Sequence, residues 1–308
     1  MPGTRSSVAS AQGLAGATPD FDGSPRVSGP TEGVERIEGS RRADGSASTR
    51  TLVLKRLDDL GVPEEIRESF PDLPADLRAL MVYGSRARGD AVPTSDLDAL
   101  GLTNSSRSTR SSGLTNLSFY TVSELRSGIG TLFGEHLRRD GRILFDPDGD
   151  LAEVLEGMDR VDTRRVFERS LAMAALFTTL DADIPKYLFG LTRAARYLLR
   201  SSLYAKTIAE GKMCFSVREL AERYDEPALV ELLASRPAME PTLEDLQECT
   251  SRLATLVGDF PVNPHGSLES TVVNEWDRPG DILSMAFMAL GSAGDGLSDY
   301  AEVGKILL

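Results

Sequence analysis

The apolar positions in the first half of the chain follow helical and strand periods in turn. Leucines at helical spacing between residues 52 and 60 predict a helix. The unbroken apolar run 80–83 then ends at Gly84, which predicts a buried strand closed by a turn. Comparable patterns predict three further strands, at 96–102, 114–121 and 142–146. A helix capped by Ser123 is predicted before the last of these strands. This order indicates a mixed sheet with flanking helices.

From about Val154 onward the pattern is helical only. Apolar residues at helical spacing predict helices over 164–180 and 186–204. The second of these carries three arginines that are predicted to form a solvated face, Arg193, Arg196 and Arg200. Capping-box patterns at Ser216 and Thr242 mark two more helix starts. The predicted fold class is therefore α+β, with a mixed sheet and flanking helices followed by an all-α helical bundle domain.

Composition divides the chain into four parts. Residues 1–50 are rich in Gly, Ser, Arg and Asp and lack an apolar period, so we expect a disordered N-terminal tail. Residues 51–150 carry the predicted sheet, and residues 151–260 form the predicted helical domain. Residues 261–308 are predicted to be an acidic, largely irregular C-terminal tail. Within that tail the apolar segment 281–290 predicts one short helix that docks on the bundle.

The overall composition argues against several classes of protein. The chain has 308 residues, of which 41% are hydrophobic and 26% charged, and no segment approaches the roughly 18 apolar residues of a membrane span. No apolar signal segment follows Met1, so we expect a soluble cytoplasmic protein with no membrane partner. The two cysteines and two histidines are each isolated in sequence, which argues against a zinc site and against a Ser/His/Asp hydrolase.

The candidate chemistry lies between residues 84 and 98. Gly84-Ser85 follows the first strand, where a glycine allows a sharp turn and a hydroxyl can reach a phosphate oxygen. Ten residues later comes Asp96-Leu97-Asp98, and residues two apart in a strand share a face. Two neighbouring carboxylates repel each other unless a cation joins them, and hard oxygen ligands beside phosphate favour Mg²⁺. Two arginines within the spacer would add positive charge beside phosphate, Arg86 and Arg88.

This segment resembles the signature of the DNA polymerase β-like nucleotidyltransferase superfamily, Gly-Ser followed after ten residues by Asp-x-Asp. The resemblance implies that residues 51–150 form a nucleotidyltransferase domain, which we expect to move a nucleoside monophosphate from an NTP, with ATP preferred, to a hydroxyl. It implies two Mg²⁺ ions held between carboxylates and phosphates. It also implies catalytic roles for Ser85, Asp96 and Asp98, the two aspartates being the metal ligands. The nucleotide-binding residues that it implies are Gly84, Ser85, Arg86 and Arg88.

The family usually supplies a third carboxylate from a following strand. The matching stretch, 114–121, contains no Asp or Glu, and either Asn116 or Ser118 falls about where the third ligand belongs. An amide or hydroxyl oxygen can still contact Mg²⁺ but adds no negative charge. This departure keeps a catalytically degenerate nucleotide-binding regulator open as an alternative to an enzyme.

The net charge bears on the acceptor. At −13 the chain repels a polyanion over most of its surface, so we do not expect a nucleic-acid acceptor. The chain is similar to aminoglycoside adenylyltransferases and to the minimal nucleotidyltransferases of toxin–antitoxin systems in placing helices beside the predicted core. The negative charge fits either a small cationic acceptor such as an aminoglycoside or a protein acceptor. The helical domain in the same chain favours the small acceptor, because it can form a pocket over the site.

Overall fold

The computed structural model describes residues 34–179, 181–234, 238–278 and 280–291, with side chains described from residue 47 onward. The chain separates into residues 1–41 and residues 42–308. Of the first unit the structure describes only 34–41, which are helical. The architecture given below is that of the second unit.

The described residues contain five strands and thirteen α-helices. The strands are β1 Leu77–Tyr83, β2 Leu97–Thr103, β3 Arg110–Ser112, β4 Thr115–Tyr120 and β5 Arg142–Phe145. The helices that accompany the sheet are α1 Val34–Asp59, α2 Glu64–Glu68, α3 Gly84–Arg88, α4 Val122–Arg126, α5 Leu132–Asp140 and α6 Asp150–Glu156. The later helices are α7 Thr163–Ala174, α8 Ile184–Ala209, α9 Val217–Arg223, α10 Leu229–Leu232, α11 Leu243–Val257, α12 Leu268–Glu275 and α13 Asp281–Leu290, with a 3₁₀ turn at Ala175–Thr178 after α7.

The sheet is mixed, with the strand order β3-β4-β2-β1-β5. β2 and β4 are parallel, and the other neighbouring pairs are antiparallel. Alternate residues of β1 enter two separate cores, because successive strand side chains point to opposite faces. Leu80 packs with Leu57 of α1 on one face, whereas Met81 packs with Leu125 and Leu137 of α4 and α5 on the other.

The later helices pack around α8, which contacts α7, α11 and α13. A Cβ at Gly190 of α8 would lie 1.9 Å from the carbonyl oxygen of Ala289, so the glycine permits the close approach of α13. The predicted helix 281–290 is confirmed as α13 with the same bounds. A mixed sheet with flanking helices, followed by a helical region, confirms the predicted α+β class. No helix in the described ranges has both the length and the apolarity needed to cross a membrane.

Several predicted boundaries differ from the structure. α1 begins at Val34, so part of the segment predicted to be a disordered tail is helical, and residues 1–33 lie outside the described residues. α12 lies inside the predicted irregular C-terminal segment, where Ser267 caps it. Residues 292–308 of that segment also lie outside the described residues. The domain boundaries at residues 150 and 260 stay predictions.

The helix predicted to begin at Ser123 is in fact two helices. Thr121, not Ser123, caps α4, and it does so through a reciprocal capping box with Glu124. The chain then turns at Gly130, where φ is +74°, and Thr131 caps α5. The glycine takes a left-handed conformation that interrupts a continuous helix.

The prediction that three arginines form a solvated face on α8 is wrong. Arg196 is buried and donates to the carbonyl of Leu232, the last residue of α10. Arg200 donates to the carbonyl of Leu233, at the α10 C-cap, and Arg193 donates to that of Met288 in α13. Helix C-termini leave carbonyl groups without intrahelical partners. The guanidinium groups of Arg196 and Arg200 satisfy two such carbonyls at the end of α10.

Candidate active site

The Gly-Ser turn and the Asp-x-Asp strand meet at the end of β1. Tyr83, the last residue of β1, is the register partner of Asp98 in β2. Gly84 follows with φ of +77°, a left-handed conformation that L side chains rarely adopt. A Cβ at Gly84 would lie 3.0 Å from Asp98 Oδ2, so the glycine backbone lies directly against this carboxylate. The two halves of the sequence motif are therefore neighbours in space.

Ser85 is the second residue of α3 and is half-buried. Its carbonyl oxygen accepts hydrogen bonds from the backbone N–H groups of Gly89 and Asp90, at 3.0 and 3.1 Å. Within the described part of the chain, its hydroxyl has no hydrogen-bond partner. The backbone of Ser85 is thus fixed while its hydroxyl is available to a ligand.

Asp96 immediately precedes β2, and Asp98 is the second residue of that strand; both are half-buried. Burial lowers the pKa of the Arg86 guanidinium, and the negative charge of Asp96 acts in the opposite direction. Asp96 therefore interacts electrostatically with the α3 turn. Across the described ranges, no cluster of three or more Asp, Glu, His or Cys side chains is arranged to hold a metal ion. Any metal here would depend on two carboxylates and on neutral oxygen ligands.

The strand register distinguishes the two candidates for the third ligand. Asp98 pairs with Asn116 across the parallel β2 and β4, whereas Ser118 pairs with Leu100. The Asn116 side-chain oxygen accepts a hydrogen bond of 3.0 Å from the Ser111 hydroxyl. Because register partners in neighbouring strands point to the same face, Asn116 is the candidate beside Asp98.

Arg86 and Arg88 both have partners within the protein. Arg86 Nε and Nη2 donate to the carbonyl of Ser95, at 3.0 and 2.6 Å, and so hold the loop that leads into Asp96. Arg88 forms ion pairs with Asp140 at 3.0 Å and with Asp90 at 3.3 Å. The nucleotide-binding role of the two arginines stays a prediction, and the structure gives each of them a role in holding the turn.

Asp146, the residue after β5, accepts hydrogen bonds from the backbone N–H groups of Leu151 and Ala152, at 3.3 and 2.9 Å. Its carboxylate therefore satisfies the first turn of α6, where backbone N–H groups lack intrahelical partners.

Sequence reasoning missed two aromatic residues beside the Gly84–Ser85 turn, Tyr83 and His136. Burial, and then the charge of Asp98, raise the pKa of Tyr83 well above its ordinary value of 10.0. The ring of His136 lies edge-to-face with that of Tyr83, with centroids 5.7 Å apart, and stacks on Phe215 of the helical region at 5.0 Å. The i,i+4 spacing of His136 and Asp140 was a signal in the sequence, since it brings both onto one face of α5.

No family model matches the sequence, and no curated protein matches it. Among solved structures, the chain is similar to a nucleotidyltransferase-like protein from Exiguobacterium sibiricum 255-15. The two are 16% identical, the match covers 59% of this chain and 68% of the other, and the TM-score is 0.27. At this level of similarity, the side chains at the ends of β1 and β2 remain the basis for assigning a function.

Proposed function

We propose that this protein is a Mg²⁺-dependent nucleotidyltransferase that moves a nucleoside monophosphate from an NTP to a hydroxyl of a small cationic acceptor. The observation that carries the proposal is the close approach of Gly84 to Asp98, where a Cβ at Gly84 would lie 3.0 Å from Asp98 Oδ2. It brings a turn suited to phosphate directly against a carboxylate suited to a metal. Nucleotidyl transfer needs both in one place, because it depends on positioning and charge neutralisation more than on an acid–base pair.

The donor set fits Mg²⁺. Asp96 and Asp98 supply carboxylate oxygens, and Asn116, in register with Asp98, supplies an amide oxygen. When bound, the metal would neutralise phosphate charge and stabilise the leaving pyrophosphate. Asp96 and Asp98 would hold it, with Asn116 as a neutral third donor. Two carboxylates and one amide carry one negative charge fewer than the three carboxylates usual in the family.

The chain's own residues account for the placement of the nucleotide. Gly84 has no side chain, so its backbone can lie close to Asp98 and to a phosphate, and the Ser85 hydroxyl would donate to a phosphate oxygen. In the reaction, the acceptor oxygen forms a bond to the α-phosphorus while the bond to pyrophosphate breaks, and the acceptor proton passes to solvent. Arg86 holds the loop before Asp96 and thereby fixes the entry to the metal-binding strand.

The acceptor is proposed from charge. A chain at −13 attracts cations and repels polyanions, which favours a polyamine-like sugar such as an aminoglycoside over a nucleic acid. ATP is the first donor to test, because the resemblance to aminoglycoside adenylyltransferases points to it.

One observation favours a second function, a nucleotide-binding regulator without turnover. Asn116 lies in register with Asp98 where the family usually has a carboxylate, so the site would hold a metal with less negative charge. Such a protein would bind Mg²⁺–NTP and release no pyrophosphate.

The test is Mg²⁺-dependent pyrophosphate release by the full chain with each NTP, with and without a panel of aminoglycosides. We expect pyrophosphate release that requires both Mg²⁺ and a cationic acceptor. Nucleotide binding without release under every condition would support the regulator instead. Transfer of label from the NTP to added protein, without a small acceptor, would support the protein-modifying alternative. Absence of both binding and release would overturn the nucleotide assignment.

A further inference from the structure

Asp90 joins the sheet region to the helical region immediately after the α3 turn. It follows Gly89, the C-cap of α3. Its Oδ2 accepts a hydrogen bond of 2.9 Å from the Ser216 hydroxyl, and its backbone carbonyl accepts one from the Arg218 guanidinium. Ser216 is the N-cap of α9, and Arg218 lies in the first turn of that helix. One residue beside the Gly-Ser turn therefore receives two hydrogen bonds from a helix more than a hundred positions away in sequence.

The other carboxylate oxygen of Asp90 faces Arg88. Asp90 Oδ1 lies 3.3 Å from Arg88 Nε, and Arg88 Nη1 donates to Asp140 Oδ2 of α5 at 3.0 Å. The Arg88 side chain is 16% exposed and that of Asp140 is 5% exposed, so water screens this pair only weakly. Removing one partner of such a pair leaves an uncompensated charge, which makes the arrangement costly to disturb.

A second connection runs through His136. Its Nε2 lies 3.3 Å from both Arg88 Nη1 and Asp140 Oδ2. Its ring contacts that of Tyr83, the residue before Gly84, and that of Phe215, the residue before Ser216. Polar and aromatic contacts thus join the two ends of α3 to the segment that begins α9.

The geometry points to Arg218 and Ser216 as positioning residues that hold the Gly84–Ser85 turn through Asp90 and Arg88. We call this set of residues, Arg88, Asp90, Asp140, Ser216 and Arg218, the Asp90 clasp. The helical region then fixes the position of α3, and therefore of the Ser85 hydroxyl and of Gly84 against Asp98. Arg88 acts within the clasp as the link to α5. The effect of the clasp on catalysis rests on the proposed function, whereas its effect on the turn does not.

The experiment measures amide hydrogen exchange over residues 84–90 in the full chain. Arg218→Met removes the donor to Asp90 while keeping an aliphatic side chain, and Arg218→Lys restores a donor. Arg223→Met is the matched control, because Arg223 lies on the same helix and bonds only Glu219 and Lys212 among the described residues. We expect exchange over residues 84–90 to be about tenfold faster in Arg218→Met, the effect of losing one hydrogen bond that involves a charged group. Exchange should return towards wild type in Arg218→Lys and stay unchanged in Arg223→Met.

Ser216→Ala provides an independent variant, should Arg218→Met fail to fold. Unchanged exchange over residues 84–90 in the folded clasp variants would overturn the inference, whatever the protein's activity. Equally faster exchange in Arg223→Met would also overturn it, because the effect would then be general loosening of α9. If exchange is faster in the clasp variants but the wild-type protein binds no nucleotide, the clasp is supported and the proposed function is contradicted. Where transfer is measured, kcat per folded protein should fall in Arg218→Met and recover in Arg218→Lys, with little change in the acceptor KM. The folded fraction has to be measured for each variant, because loss of folded protein alone also lowers the apparent kcat.

Discussion

Asp98 of β2 and Asn116 of β4 are register partners in a parallel pair, so their side chains lie on the same face of the sheet. A carboxylate at position 116 would therefore stand beside Asp98, where it could share a cation. We expect Asn116→Asp to lower the Mg²⁺ concentration required for half-maximal NTP binding, because it adds one negative charge to the donor set. Titration of Mg²⁺ at fixed NTP measures this change.

Ser118→Asp is the control for that substitution. Ser118 pairs with Leu100 rather than with Asp98, and its hydroxyl lies 3.3 Å from that of Thr109. It should change the Mg²⁺ requirement less than Asn116→Asp does. A larger effect from Ser118→Asp would contradict the assignment of Asn116 as the third donor.

Gly84→Ala should combine backbone strain with displacement of Asp98. The new Cβ would lie 3.0 Å from Asp98 Oδ2, and φ at this position is +77°. We expect a loss of about 1–2 kcal/mol in the free energy of unfolding, from the left-handed conformation alone. Mg²⁺–NTP binding should be lost as well, because the carboxylate has to move. Urea unfolding and nucleotide titration separate the two effects.

Gly61→Ala is a matched control for the strain. Gly61 has φ of +72°, and a Cβ there would meet nothing within 4 Å. It should lose a similar amount of stability and keep nucleotide binding. If Gly84→Ala bound nucleotide as tightly as Gly61→Ala does, the position of the Asp98 carboxylate would have no role at the site.

The two strands of the motif could be predicted from sequence because their determinants are local, whereas the short helix α3 that follows Tyr83 was not predicted. A continuous apolar run that ends in glycine specifies both the strand and its exit, and the spacing to the two aspartates is fixed along the chain. The choice between Asn116 and Ser118 could not be made in this way. It depends on the register between β2 and β4, which is set by packing between strands and not by either strand alone.

Contacts between residues far apart in the chain could not be predicted from the sequence either. The hydrogen bond from Ser216 to Asp90 joins residues 126 positions apart, and neither side chain carries a local sign of the other. The burial of Arg196 follows from the end of α10 lying beside α8, which composition cannot show. By contrast, the Thr121–Glu124 capping box could have been predicted in place of the cap at Ser123, since it needs only a threonine three residues before a glutamate.

Ser85→Ala should reduce catalysis without reducing stability. The hydroxyl has no partner within the described protein, so its removal leaves no buried group unsatisfied. We expect kcat/KM for the NTP to fall by an amount equivalent to about 1–3 kcal/mol, the usual loss for a charge-assisted hydrogen bond. The free energy of unfolding should stay unchanged. A variant with wild-type kcat/KM would show that the turn does not use this hydroxyl.

Folding stability should depend on pH through His136. Burial lowers the pKa of this imidazole below its ordinary value of 6.5, against the opposing effect of Asp140 and with a further lowering from Arg88 and Arg139. The unfolded chain therefore takes up the proton first as the pH falls. Stability should decline as the pH drops from about 6.5 towards the lower folded pKa, and should level off below it.

Urea unfolding of the wild type and of His136→Gln between pH 7.5 and pH 5 tests this expectation. The wild type should lose more stability over this interval than the variant does. The interval lies above the titration of Asp140, whose pKa is lowered because the effects of His136 and Arg88 outweigh its burial. Identical pH dependence in the two proteins would show that His136 does not titrate differently on folding.

Calorimetry tests directly whether Asp96 and Asp98 bind Mg²⁺ together with a nucleotide. ATP and the other NTPs are titrated, with and without Mg²⁺, into the wild type, Asp96→Asn and Asp98→Asn. Asp148→Asn is the matched control, since Asp148 is exposed in the turn after β5. Circular dichroism establishes that each variant is folded. We expect Mg²⁺-dependent nucleotide binding in the wild type and in Asp148→Asn, and its loss in folded Asp96→Asn and Asp98→Asn. Unchanged Mg²⁺-dependent affinity in both of those variants, or no nucleotide binding by the wild type, would show that the two aspartates do not form the proposed site.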